Sequence, residues 1–229
     1  MRPSPSVLVL ALLAAACAAP APEPETSVHP GINEPYRGEV VVDEWIERFE
    51  AESREVYAHR GAIVEAVGLR PGDDVADVGA GTGLFTLPFA RAVGFGTVYA
   101  VDVVPEFLAL IAERAGDAGL DNVTPVLGTD RSIELPRFSV DVVFACDTYH
   151  HFEYPRSTLA SIRDALRPGG RLVVVDFERV PGVSRDWVLE HVRAGRATVV
   201  DEIEAAGFAL VRELDLPLEE NWGLEFALR

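Results

Sequence analysis

The chain has 229 residues, 48% of them hydrophobic and 25% charged, a composition that builds one ordinary globular domain with extra segments. Its net charge is −17, its pI is about 4.6, and all 20 basic residues are arginine. So acidic a surface repels phosphate backbones and carries no basic stripe to offset that field, which excludes nucleic acid as the expected partner.

Residues 1–17 read as an export signal. Arg2 is the only charge ahead of an apolar run from Val7 to Ala16, which is too short to span a bilayer. The run closes on Leu13-Ala14-Ala15-Ala16-Cys17, similar to a bacterial lipobox. Cys17 is then the expected lipidation site, and the chain an exported lipoprotein facing the periplasm, touching the membrane only through its N-terminal anchor. Ordinary cleavage near Cys17 without a lipid is the alternative. Residues 18–38, rich in Ala, Pro and Glu and without apolar periodicity, are expected to form a disordered tether. With Cys17 committed, Cys146 is the only other thiol, so no intramolecular disulfide framework is available.

Residues 39–67 read as a helical lid. Val41, Trp45, Ile46, Phe49, Val56 and Tyr57 recur at spacings near three and four among acids and arginines, and a helix from Arg60 to Val67 ends at Gly68. Residues 68–229 alternate strand-like and helix-like segments. Strands are predicted at 74–78, 97–101, 123–127, 140–145, 171–177, 209–214 and 222–228, with helices at 84–92, 105–118, 155–166, 184–193 and 198–206. This alternation predicts an α/β fold with a Rossmann-like doubly wound sheet.

The sharpest motif is Val75-Ala76-Asp77-Val78-Gly79-Ala80-Gly81-Thr82-Gly83, which follows a predicted strand and opens a helix. Glycines there permit positive φ and let a ligand approach the backbone. Leu84 stands where a dinucleotide fingerprint wants its third glycine, and Asp77 suits a cationic ligand better than a pyrophosphate. Asp102 ends the next apolar strand nineteen residues after Gly83, where a carboxylate can accept both hydroxyls of a ribose.

This string, the Ala100-Val101-Asp102 strand end, and Leu166-Arg167-Pro168-Gly169-Gly170-Arg171-Leu172 together resemble class I S-adenosylmethionine-dependent methyltransferases. The resemblance runs from about Arg60 to Arg229 and implies a seven-stranded sheet of order 3-2-1-4-5-7-6 with the last strand antiparallel. It implies S-adenosylmethionine as cofactor, with Asp77, Gly79, Gly81 and Gly83 at its methionine part and Asp102 on the ribose. Val103 would line the adenine pocket, Thr129 and Asp130 would lie near the adenine amino group, and Cys146 would sit beside the sulfonium.

The segment Ala145-Cys146-Asp147-Thr148-Tyr149-His150-His151-Phe152 lacks the signature of nucleobase amino-methylases. Its double histidine is closer to the small-molecule branch, near the ubiquinone and menaquinone C-methylases. Asp147 and Tyr149 are then expected in the substrate pocket, joined from the lid by Tyr57 and Arg60. His150 or His151 could act as a general base, or both could simply cap and pack the following helix. No metal is expected, because His150, His151 and Glu153 crowd into four residues and lack a further ligand. Two alternatives to catalysis on a small molecule stay open: a catalytically silent module binding a nucleoside ligand, and a nicotinamide oxidoreductase, which the glycine spacing and Asp77 disfavour.

Overall fold

A computed structural model of the chain describes residues 24–229. The export signal, Cys17 and the first part of the expected tether lie outside the described residues. Among those described, no helix is long and apolar enough to cross a membrane.

Seven strands form one sheet: β1 (Val75–Val78), β2 (Val98–Asp102), β3 (Val123–Leu127), β4 (Val140–Cys146), β5 (Leu166–Phe177), β6 (Phe208–Glu213) and β7 (Asn221–Leu228). Their order is 3-2-1-4-5-7-6, with β7 antiparallel to both β5 and β6. This is the α/β Rossmann-like topology expected from the sequence. The interior strands are near-continuous runs of Val, Ala and Phe because helices cover both faces. β3 pairs only with β2, and that edge position tolerates Pro125, which has no N–H to give to a ladder. The Pro168-Gly169-Gly170 turn falls inside β5, where the register against β4 slips between Val140 and Val142.

Alternation along the strands sorts the core into two layers. Val75, Val142, Phe144 and Val173 meet Ile63 and Val67 of α3 (Arg60–Val67) and Phe89 and Val93 of α4 (Thr86–Val93). Ala76, Val143, Ala145 and Val174 face the other way, toward Leu159 and Ile162 of α6 (Pro155–Ala165) and Val199 and Ile203 of α8 (Arg196–Ala205). Between these, α5 (Pro105–Asp117) lies against β2 and β3 with Ile111 on Ala100. A short α7 (Asp186–His191) follows β5. The chain doubles back between β1 and β4, which opens a crevice at the carboxyl ends of those strands.

The lid consists of α1 (Val42–Phe49) and α2 (Glu55–Ala58), leading into α3. The expectation of a disordered tether through residue 38 is corrected for its described part. The Glu25 carboxylate accepts the backbone N–H groups of Arg156 and Ser157 at 2.8 Å each, at the first turn of α6. Those donors have no partner within the helix, so an anion there is held by both hydrogen bonds and the helix dipole. Val28 N–H then donates to Glu153 O at 3.0 Å, Ile32 is buried, and a 3₁₀ turn at Glu34–Tyr36 carries the segment across the crevice.

Candidate active site

The carboxyl ends of β1, β2 and β4 open into a cavity of about 460 Å³, walled on its outer side by Tyr36, Phe49 and Arg54. β1 delivers Asp77 to its wall. The chain then turns through Gly79, Gly81 and Gly83 at φ of 71°, 53° and 84°. A Cβ on Gly79 would lie 2.3 Å from Thr148 Oγ1, so only glycine lets this loop meet the one after β4. Gly83 has a different task. It lies off the main cavity, and its missing side chain makes room for Ile111 and Leu87 where α4 packs near α5.

Two buried carboxylates face this loop. Asp102 accepts Gly81 N–H at 2.8 Å and Val104 N–H at 2.9 Å, pinning the glycine loop to the end of β2. Burial raises its pKa, against the pull of those N–H donors. Asp77 accepts the Thr86 hydroxyl at 2.6 Å. Burial pushes its carboxyl up to about 7; the Thr86 bond opposes the rise and the charge of Asp102 adds to it. Val103, which is 46% exposed, lines the cavity beside Phe107. Above them Tyr36, Trp45, Phe49 and Phe107 form a continuous aromatic roof with centroids 4.9 to 6.2 Å apart.

At the end of β4 the Cys146 thiol is buried against the cavity, and burial pushes its pKa up. Asp147 follows at φ 49°, a left-handed conformation that costs a non-glycine residue energy and aims its carboxylate across the site. It pairs with Arg54 of the lid and accepts Asn221 Nδ2 from the start of β7 at 2.5 Å. Burial raises the Asp147 pKa while the Arg54 charge lowers it. Lid, β4 and β7 are therefore tied together at one carboxylate.

Five further expected residues stand elsewhere. Tyr57 and Arg60 stack on each other at 4.2 Å and line a shallow depression with Glu50, Leu87 and Arg114, outside the main cavity. Successive helical residues diverge by about 100°, so when Val56 turns inward Tyr57 cannot follow it. Tyr149 is fully buried and donates its hydroxyl to Glu202 at 2.9 Å, within the core against α8. Thr129 bonds back to Ser132 within its own turn, and Asp130 is drawn toward Arg37 at 3.9 Å; neither lines the cavity.

The histidines do reach it. His150 is buried; its ring Nδ1 lies 2.7 Å from Asp176 Oδ1, and its backbone N–H donates to Asp176 Oδ2 at 3.0 Å. His151 Nδ1 lies 3.1 Å from Asn33 Oδ1, while Asn33 Nδ2 donates to His151 O at 3.0 Å. His191 of α7 completes the group, its Nε2 3.3 Å from His151 Nε2. Burial lowers the pKa of both His151 and His191, helped by the charges of His150, Arg48 and His29. Glu153, by contrast, turns away to Arg37 at 3.4 Å. Asp176, Asn33 and His191 are the residues sequence reasoning missed. Each lies 26 to 118 positions from its partner histidine, and only the fold brings them together.

Residues 76–174 match the family described as "Methyltransferase domain". These residues form a class I methyltransferase domain. The chain is 30% identical over 187 residues to nocamycin O-methyltransferase of Saccharothrix syringae, covering 69% of this chain and 66% of that protein. It is 34% identical over 125 residues to the ubiquinone/menaquinone biosynthesis C-methyltransferase UbiE of Burkholderia mallei, covering 54% and 51%. The chain thus spans about two thirds of one relative and half of the other. Among solved structures, a SAM-dependent methyltransferase from Aquifex aeolicus superimposes with a TM-score of 0.72 at 25% identity, covering 83% of this chain and all of that one.

The cofactor of the methyltransferase domain is S-adenosylmethionine. Its cavity suits that molecule: Gly81 has no Cβ, and one there would stand 3.4 Å from Phe49 of the roof and narrow the cavity. Thr82 Oγ1 is buried at the cavity wall with no hydrogen-bond partner among the described residues. Asp77 and Asp102 offer buried negative charge to a cationic ligand bearing two ribose hydroxyls.

Proposed function

We propose that this chain transfers a methyl group from S-adenosylmethionine to a small-molecule acceptor. The observation that carries the reading is the single roofed cavity, with the Gly79–Gly81 loop and Asp102 at one end and His150, His151 and Asp147 at the other. A roofed cavity of about 460 Å³ with apolar walls and a few convergent polar groups is how small-molecule sites are built.

When bound, S-adenosylmethionine supplies a sulfonium methyl for in-line displacement. The residues of the chain position and exclude water. Asp77 would face the methionine ammonium and Asp102 the ribose hydroxyls, while Val103 and Phe107 would flank the base under the aromatic roof. Of the pair, His150 is the one held by a carboxylate. Asp176 takes its Nδ1–H, which leaves the Nε2 lone pair for an acceptor hydroxyl, thiol or amine.

Asp102→Ala is the decisive variant. Charged hydrogen bonds to ribose hydroxyls contribute about 1.5–3 kcal/mol each, so cofactor affinity should fall about ten- to a few hundred-fold by calorimetry in a variant that remains folded. Unchanged affinity would remove Asp102 from the site. Labelled-methyl transfer to a panel of phenols, quinols, thiols and amines then tests catalysis. Tight cofactor binding with no transfer to any class would favour the silent nucleoside-binding module instead.

We also propose that the chain works outside the cytosol, held by lipid on Cys17, because its first residues carry a short apolar run that ends in a lipobox-like string. A mature lipoprotein carries more than one acyl chain and so resists a high-salt wash. Fractionation of cells making wild type and Cys17→Ala should move the protein from membrane to soluble envelope. Wild-type protein of full length in the cytosol would overturn the proposal.

A further inference from the structure

Three of the five histidines in the chain gather on one side of the cavity. Among the described residues, His150, His151 and His191 each offer one ring nitrogen, and these atoms lie within 4.8 Å of one another. We propose that these three imidazoles form a binding site for one divalent transition metal of the zinc class, with its remaining coordination position open to the cavity.

Hydrogen bonds decide which ring nitrogens are free. Asn33 donates its Nδ2 to His151 O, which fixes the amide orientation, so its Oδ1 must accept from His151 Nδ1–H. Asp176 likewise takes the proton on His150 Nδ1. Both rings therefore keep an Nε2 lone pair, each held in place by an acceptor on the far side of the ring. Metal-binding histidines are oriented in this way, and the outer acceptor also raises the basicity of the ligand.

Spacing supplies the second strand. Zinc–imidazole bonds of about 2.0–2.1 Å at tetrahedral angles place two ligand nitrogens roughly 3.3–3.4 Å apart. His151 Nε2 and His191 Nε2 are 3.3 Å apart. The ring centroids of the three lie 4.3, 5.0 and 5.2 Å from one another, with His150 buried. The His191–His151 contact pairs one Nε2–H with one Nε2 lone pair, and a cation in place of that proton would let all three rings bind through a lone pair. His29 adds a fourth ring nearby, and its Nδ1 is buried with no hydrogen-bond partner among the described residues.

Local sequence spacing pointed away from a metal because it offered Glu153 as the third ligand. The fold substitutes His191, forty residues on, carried by α7. Three histidines plus an open position is the ligand set of a catalytic rather than a structural zinc site. With a metal on it His150 Nε2 no longer accepts a proton; an acceptor hydroxyl or thiol ligated there would instead lose its proton to solvent on binding and face the methyl donor as an anion. That last consequence rests on the methyl-transfer reading, whereas the metal site does not.

The test uses the full-length protein, stripped with chelator and dialysed against Zn²⁺ or Co²⁺. The wild type should take up one equivalent per chain by elemental analysis, and the cobalt form should show the intense visible bands of a tetrahedral site. His191→Ala and His151→Ala should lose that uptake, and Asp176→Asn should weaken it about 10–100-fold. His59→Ala, the histidine outside the cluster, should bind as wild type. No stoichiometric uptake by the wild type, or uptake that survives in both His151→Ala and His191→Ala, overturns the site. Metal uptake without any affinity for S-adenosylmethionine would leave the site standing and sink the proposed function instead.

Discussion

Asp77 is a carboxyl that burial holds partly protonated near neutrality, with a pKa of about 7 against an ordinary 3.8. The native state therefore binds a proton that the unfolded chain has already released. Stability is full below about pH 4 and falls as pH rises toward 7, by on the order of 4 kcal/mol for this one group. Asp77→Asn should flatten that decline in urea denaturation run between those two pH values; an equally steep decline in the variant would remove Asp77 as its source. A cationic ligand favours the ionised form, so cofactor binding below pH 7 should release a proton, seen as a dependence of the calorimetric heat on buffer ionisation enthalpy. At this scale the sequence was readable where a motif fixes backbone shape. Asp77, Gly79, Gly81, Asp102, Val103, Cys146 and Asp147 all line the cavity because strand ends and glycine turns dictate their place. Tyr57 was illegible, because a four-residue helix gives no periodicity from which to choose its inward face, and Arg60 at the start of α3 follows it by stacking on its ring. Asp130 is drawn aside by Arg37, a residue that composition had assigned to a tether, and Thr129 is held by Ser132 in its own turn.

The strands and most helices follow from alternation and turn chemistry, and their predicted boundaries fall within a few residues of those observed. The N-terminal segment does not, because its fixation comes from contacts far along the chain rather than from its own pattern. Glu25 holds it by capping α6, and Asn33 then reaches His151. Removing a side chain that caps a helix N-terminus costs about 0.5–2 kcal/mol. Glu25→Ala should lower thermal stability by that order and speed proteolytic cutting between residues 24 and 38. Unaltered cutting would mean that the remaining contacts, such as Val28 to Glu153, hold the segment without the cap.

Across the whole molecule, the charge of −17 makes a long-range field that acts on ligands before they touch the cavity. S-adenosylmethionine carries a net positive charge that its demethylated product lacks. Its association rate should therefore fall as salt shortens the screening length to about 10 Å at 0.1 M, while that of the product changes little. Equal salt dependence of the two rates would show that the field plays no part in capture. The aromatic roof gives a direct way to watch this. The chain has three tryptophans: Trp45 lies in the roof between Tyr36 and Phe49, Trp187 lines the cavity with its ring 6.3 Å from that of His191, and Trp222 is sealed in the core with its indole N–H on Phe177 O. The native fluorescence of the molecule is thus already divided by location. With Trp222 as a constant background, quenching of Trp45 reports arrival under the roof and quenching of Trp187 reports events at the histidines. The order in which the two ends of the cavity fill can be timed in stopped flow without attaching any dye.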